Sequence, residues 1–221
     1  WTPPTTALPN AHILRVRAFK GEQACTNEFA GTWFVGPVPN SHTLRVASFI
    51  TDNTHLFSDA TGLFVPGNIY KANGFGSSVG KPNANYFQSG DRWERPAHFE
   101  LFETNHATAA SCNLGIRMHG GFSRAWAQKT LRCCLRAEYG QKNINYPLFS
   151  DDPYTKYKRF LLRNSGNDWC YTGFRDAVAQ QIFRPFLHSD TQGYVPTIVY
   201  INGEYWGILN LRHHYSKHFF E

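Results

Sequence analysis

The chain has little that would place it quickly. There is one methionine. No run of eighteen apolar residues occurs, so no segment reads as a membrane-spanning helix. No block of five like charges occurs, so a nucleic-acid-binding tail is not indicated. No CxxC pair exists among the five cysteines, which argues against a zinc knuckle. Cys133 and Cys134 are neighbours in a strand-like run and point to opposite faces, so no disulfide framework is apparent. A GxSxG elbow is missing, as are the GxGxxGxV, HRD and DFG signatures of ordinary protein kinases. The stretch GFGSSVGKP resembles a phosphate-binding loop only at a glance. Gly76 leaves three residues before Gly80-Lys81 and Gly74 leaves five, where four are needed, and Pro82 stands where Ser or Thr would hold Mg²⁺.

What is present is a core-forming chain of 221 residues, 42% hydrophobic, with a net charge of +6. That balance suits an anionic ligand, although most such charge is solvated surface. HILRVRAF and EFAGTWFV alternate around a KGEQ turn and predict a β-hairpin. GPVPNS at 36–41 reads as a linker and domain boundary. LRVASFI, GLFV, AHFELFE, NLGIRMHG, KTLRCCLR and YKRFLLR read as strands. A Gly/Asn/Ser-rich loop fills 71–92. Thr172 is placed as the N-cap of a helix over 172–184 that Pro185 ends. Phe174, Val178 and Ile182 form an apolar stripe predicted to face a core. Near the end, Asn202-Gly203 sits between two alternating runs and predicts a tight hairpin. A two-residue loop pairs Ile201 with Glu204, Val199 with Trp206, Thr197 with Ile208 and Val195 with Asn210. The expected class is α+β, with antiparallel sheets and few helices.

Three polar constellations stand out. RNSGNDW at 163–169 lies between an apolar strand and the helix. Asp168, Asn164 and Asn167 are hard oxygen donors that suit Mg²⁺, while an Asx-turn would use the same side chains on the backbone. GIRMHGGFSRAWAQKTLR gathers Arg117, His119, Arg124, Lys129 and Arg132 around two glycines. This arrangement fits either a phosphate site or a basic surface hairpin. HHYSKH puts His214 and His218 four apart, a metal spacing without a third ligand, for which a surface role is preferred. Trp93, Trp126, Trp169 and Trp206 fit a core, an interface or stacking on a sugar or adenine.

In order, NYFQSGDRWERPAHFELFE, GIRMHGGFSR, QKTLR, EYG, YPLF, LLRNSGND, FRDAVAQ and YINGEYWGILNLR resemble the spore-coat CotH kinase family. ILRVRAF and TWFV resemble the end of a chitobiase C-terminal-type β-sandwich. The resemblance implies a sandwich fragment at 1–38 and a CotH-like domain at 39–221, incomplete at its C-terminus and part of a larger multidomain chain. It implies an extracellular or cell-surface atypical kinase that uses ATP and Mg²⁺ to phosphorylate Ser or Thr of protein partners. Asp168 and Asn164 would hold Mg²⁺ or orient the acceptor, with Asp176 as a second carboxylate. Lys129 and Arg117 would clamp phosphates with His119 and Arg124, and Trp206 or Tyr205 would flank the nucleotide. Many relatives continue with an acidic E-x-x-D, as in RERYDEDY, where this chain has RHHYSKHF. His213 and Ser216 replace those acids, and His neither replaces a Mg²⁺ carboxylate nor carries its charge. The resemblance therefore also admits a catalytically impaired adhesion or structural module. A carbohydrate-binding part of a larger extracellular protein is a third reading.

Overall fold

The computed structural model describes residues 10–26, 28–35, 43–74, 81–150, 152–186 and 191–216. The linker reading at 36–41, most of the GFGSSVGKP stretch and His218 fall outside them. Among the described residues the strands are β1 (His12–Val16), β2 (Phe19–Lys20), β3 (Gln23–Ala24), β4 (Phe29–Trp33), β5 (Arg45–Ile50), β6 (Arg95–Phe102), β7 (Thr108–His119), β8 (Thr130–Cys134), β9 (Ile144–Asn145), β10 (Lys156–Tyr157), β11 (Arg159–Arg163), β12 (Tyr194–Ile201) and β13 (Glu204–His213). Helices are α1 (Asn53–Phe57), α2 (Gly67–Ala72) and α3 (Arg175–Phe183). This is an α+β chain of mostly antiparallel sheet with few helices.

Seven strands close into a barrel in the order β11–β13–β12–β5–β6–β7–β8, with β8 pairing back to β11. Every neighbouring pair is antiparallel except β5 with β12. Alternation decides what fills it, because successive side chains take opposite faces. Leu114, Ile116 and Met118 of β7 point inward with Leu131 and Cys133 of β8, Phe160 and Leu162 of β11, and Leu209 and Leu211 of β13. Phe49 and Phe99, cross-strand partners on β5 and β6, meet in the interior with ring centroids 5.1 Å apart. Burying each such side chain contributes roughly 1.5–3 kcal/mol. All five cysteines are free thiols.

The predicted N-terminal hairpin is present as β1 paired with β4. It docks on the barrel's outside, where Phe34 meets Phe102 and Tyr200 edge-on, Thr32 Oγ1 shares a 2.7 Å hydrogen bond with Ser48 Oγ, and Ala11 N–H donates to Gly203 O.

Four expectations are corrected. GLFV is not a strand. Leu63 N–H and Phe64 N–H donate to His55 O and Leu56 O of α1, so the segment folds back and buries Leu63. The 194–213 hairpin keeps its Ile201–Glu204 pair, but a bulge after Tyr200 shifts the rest: Val199 faces Gly207, Thr197 faces Leu209 and Val195 faces Leu211. Trp206 is the extra residue, and it packs on Phe64 and the interior core. Thr172 is not an N-cap, since the helix begins at Arg175 and Phe174 caps it without a side-chain bond. Finally, the stripe of Phe174, Val178 and Ile182 is exposed, at 45%, 41% and 59%. The helix turns Asp176 and Ala177 inward instead, because Arg163 and Arg212 on the barrel's outer face need a counter-charge.

Candidate functional site

The RNSGND segment leaves β11 and reverses through Ser165 and Gly166, both at positive φ. Gly meets that conformation without cost, and Ser165 is held in it by Asn210, whose Nδ2 donates to Ser165 Oγ at 2.6 Å and to Gly173 O at 2.6 Å. Asn164 is the bracket. Its Oδ1 accepts from Thr130 Oγ1 at 2.8 Å and from Gly166 N–H at 3.0 Å, and its Nδ2 donates to Gln128 O at 2.7 Å. The turn is thereby tied to β8 and to the loop before it.

Asp168 caps the next turn. Thr172 Oγ1 donates to it at 2.6 Å, Arg175 N–H at 2.9 Å and Thr172 N–H at 3.3 Å, and the Arg175 guanidinium lies 3.4 Å away. The Thr172 hydroxyl and the Arg175 backbone N–H hold its carboxyl near 2. The segment is thus an Asx-type turn in which the polar side chains serve the backbone. Trp169 stacks on Trp126 at 5.7 Å, and each indole N–H is buried without a partner. Beside them lies a cavity of about 280 Å³ lined by Trp169, Thr172, Phe174, Tyr194 and Asn210.

The basic residues divide. Lys129 lies over the Tyr86 ring and donates to Arg124 O at 2.8 Å and Trp126 O at 2.7 Å, and burial pulls its pKa down to about 8. Arg124 donates to the carbonyls of Gly120, Phe87 and Gln88. Both act as braces of the 120–128 turn. Arg117 is paired with Asp91 at 2.9 Å and lies 3.8 Å from Glu94. His119 instead faces His214 edge-on at 5.3 Å. The Trp206 ring packs on the core and on Phe64, while its carbonyl accepts from Gln128 Nε2 at 3.3 Å.

Asp176 Oδ2 lies 3.3 Å from Arg163 Nε and 3.4 Å from Arg212 Nη1, while its Oδ1 is buried with no partner. His213 is buried and fully engaged. Gly193 N–H donates to its Nδ1 at 2.9 Å, so that nitrogen is the acceptor, and Nε2–H donates to Asp152 at 2.6 Å. Sequence reading missed Asp152 as this partner, since nothing in the spacing of DDP and RHHY joins them. Mg²⁺ takes carboxylates together with phosphate and water oxygens. Asn164 and Asp168 already spend their oxygens within the chain, leaving Asp176 Oδ1 as the unpartnered carboxylate oxygen of the expected set. No group of three or more His, Cys, Asp or Glu gathers among the described residues. The residues as arranged do not fit a preformed Mg²⁺ centre.

The family described as CotH kinase protein matches residues 116–221. That stretch, from β7 through the Gly-rich turn, the RNSGND bracket and α3 to the β12–β13 hairpin, is the part of the chain that is similar to that family. No curated protein matches the chain. No helix among the described residues is long and apolar enough to cross a membrane.

Proposed function

We propose that the chain is a CotH-type kinase-like domain that acts at the cell surface or outside the cell by binding a protein partner, with phosphoryl transfer from ATP lost. His213 carries this reading. It stands where the resembling sequences place Glu, and both of its ring nitrogens are engaged, by Asp152 and by Gly193 N–H. It therefore offers neither charge nor lone pair to a metal. The engagement of Asn164 and Asp168 points the same way. The division into a sandwich fragment at 1–38 and a domain from 39 belongs to the same reading.

A second reading, an active Ser/Thr protein kinase, is favoured by the family match over 116–221 and by the unpartnered Asp176 Oδ1. In it Asp168, Asn164 and Asp176 would hold Mg²⁺, and Lys129, Arg117, His119 and Arg124 would face phosphates. Calorimetry with Mg-ATP, run beside a phosphotransfer assay, separates the two. The binding-module reading expects no Mg²⁺-dependent heat and no transfer. Transfer that vanishes in both Asp168→Ala and Lys129→Ala would overturn it.

A further inference from the structure

On the outer face of β7, β8, β11 and β13, cross-strand register places cations in a row. Arg117 faces Arg132, Arg132 faces Leu161, and Leu161 faces Arg212. The two ends are compensated, Arg117 by Asp91 and Glu94 and Arg212 by Asp176. The middle is not. Arg132 Nη1 lies 3.2 Å from His214 Nε2. Arginine only donates, so Nε2 is the acceptor and the ring proton sits on Nδ1. That Nδ1–H is buried with no partner, in a side chain that belongs to a residue only 8% exposed, and Arg132 Nε is buried unpartnered as well. Native structures leave few such donors unmet, each costing roughly 1–3 kcal/mol.

His214 lines a cavity of about 50 Å³ with Lys156, Lys158, Arg159, Tyr154 and Ser216. None of the three cations has an ion pair among the described residues. Among the described residues of the loop before β10, Asp152 is the acid, and it is occupied by Tyr154 N–H, Tyr157 Oη and His213 Nε2. Apart from burial, the charged neighbours that hold His214 neutral are Arg132, Arg159 and Arg117, all cationic. The cavity thus has a positive wall, the imidazole of His214 and a hydroxyl, and Ser216 contributes that hydroxyl where an acid would repel an anion.

We infer that this cavity is a binding site for a tetrahedral oxyanion, inorganic phosphate or the phosphate of a small phosphomonoester. His214 Nδ1–H, Arg159 and Ser216 are its donors, and Lys156 and Lys158 form its rim. A dianion matches several unpaired cations better than a carboxylate does. The volume suits one small headgroup, since about 10–15 Å³ of such space already admits one water. The site is independent of nucleotide and Mg²⁺.

The test titrates the chain with inorganic phosphate at low salt without Mg²⁺, following the imidazole ¹⁵N resonances and the heat. Saturable binding that shifts His214 is expected. Arg159→Ala should weaken it by about tenfold, equivalent to about 1.4 kcal/mol, and His214→Gln by a similar factor. Arg159 is partly exposed and His214 is buried, so the Arg159 variant keeps the fold if His214→Gln does not. Asp168→Asn should leave phosphate binding unchanged, which separates this site from the nucleotide question. Sulfate should compete and acetate should not. Phosphoserine binding more tightly than phosphate would assign the ester as ligand, and the reverse order would assign the free ion. No saturable binding, or undiminished affinity in Arg159→Ala, would overturn the inference.

Discussion

Two polar regions lie on the same outer face of the barrel and differ in what their atoms are doing. In the turn at 163–169, Asn164 and Asp168 are surrounded by donors and acceptors from their own chain, and almost nothing is left to offer a ligand. A few residues away, His119, Arg132 and His214 crowd together with hydrogen-bonding atoms unspent. The turn stands out as a site in the sequence, and so do His119 and Arg132, whereas their meeting with His214 shows only once the chain is folded. Density of polar residues measures how much hydrogen bonding is available, whereas unpartnered buried atoms measure how much remains.

The largest effect should come from breaking the turn. Asn164→Leu removes the side-chain ties to β8 and to the loop before it and strands Gln128 O and Gly166 N–H, so urea unfolding should show a loss of about 3 kcal/mol. A loss under about 1 kcal/mol would mean the turn holds itself. Next is His213→Glu, which sets a second carboxylate against Asp152 across a 2.6 Å contact. It should destabilise by about 2 kcal/mol, and most of that should return in the double variant with Asp152→Asn. The double variant also restores an acid at 213, so its Mg-ATP heat compared with wild type sharpens the functional choice.

Titration separates the regions again. Burial first, then His214, Arg132, Arg124 and Arg163, brings His119 to about 4, and burial with Arg132, Arg159 and Arg117 does the same to His214. Between the ordinary histidine value near 6.5 and about 4, the unfolded chain binds more protons than the folded one, so stability falls as pH drops through that window. The double variant His119→Gln/His214→Gln should flatten this slope in melting temperature. Asp168, held near 2, contributes stability above its ordinary value of about 3.9 that is lost as pH falls toward 2. The gap in melting temperature between wild type and Asp168→Asn should therefore close between pH 4 and 2. The smallest effect belongs outside both regions. Val178→Lys on the exposed flank of α3 should change stability by no more than about 0.5 kcal/mol.

Much of the barrel was legible in the sequence, because alternation in LRVASFI, AHFELFE, NLGIRMHG, KTLRCC, KRFLLR and the Asn-Gly hairpin is a local signal. Closure was not. The β8–β11 seam and the parallel β5–β12 pair join segments distant in the chain, and no residue pattern announces them. The bulge at Trp206 escaped for a related reason: Gly207 sits at φ +90, and the sequence shows only a glycine in a strand. The α3 stripe misled because spacing reveals amphipathicity and not which side a helix presents. There the pairing of Asp176 with Arg163 and Arg212 set the orientation. RNSGND was legible as polar and as a turn, but whether its oxygens were free depended on Thr130 and Thr172, one of them far away in sequence.

The closed barrel also limits how this chain can meet another. Open sheets recruit partners by lending an unpaired edge, so that a foreign strand extends the sheet through main-chain bonds and almost any extended peptide will do. The seam between β8 and β11 leaves the seven-stranded barrel no such edge. A protein seated on the barrel must be selected by side chains and loops, and its recognition will depend on residue identity more than on backbone shape. The same seam denies other copies of the chain a template for edge-to-edge stacking, so the barrel is guarded against fibrous self-assembly by the bond that completes it.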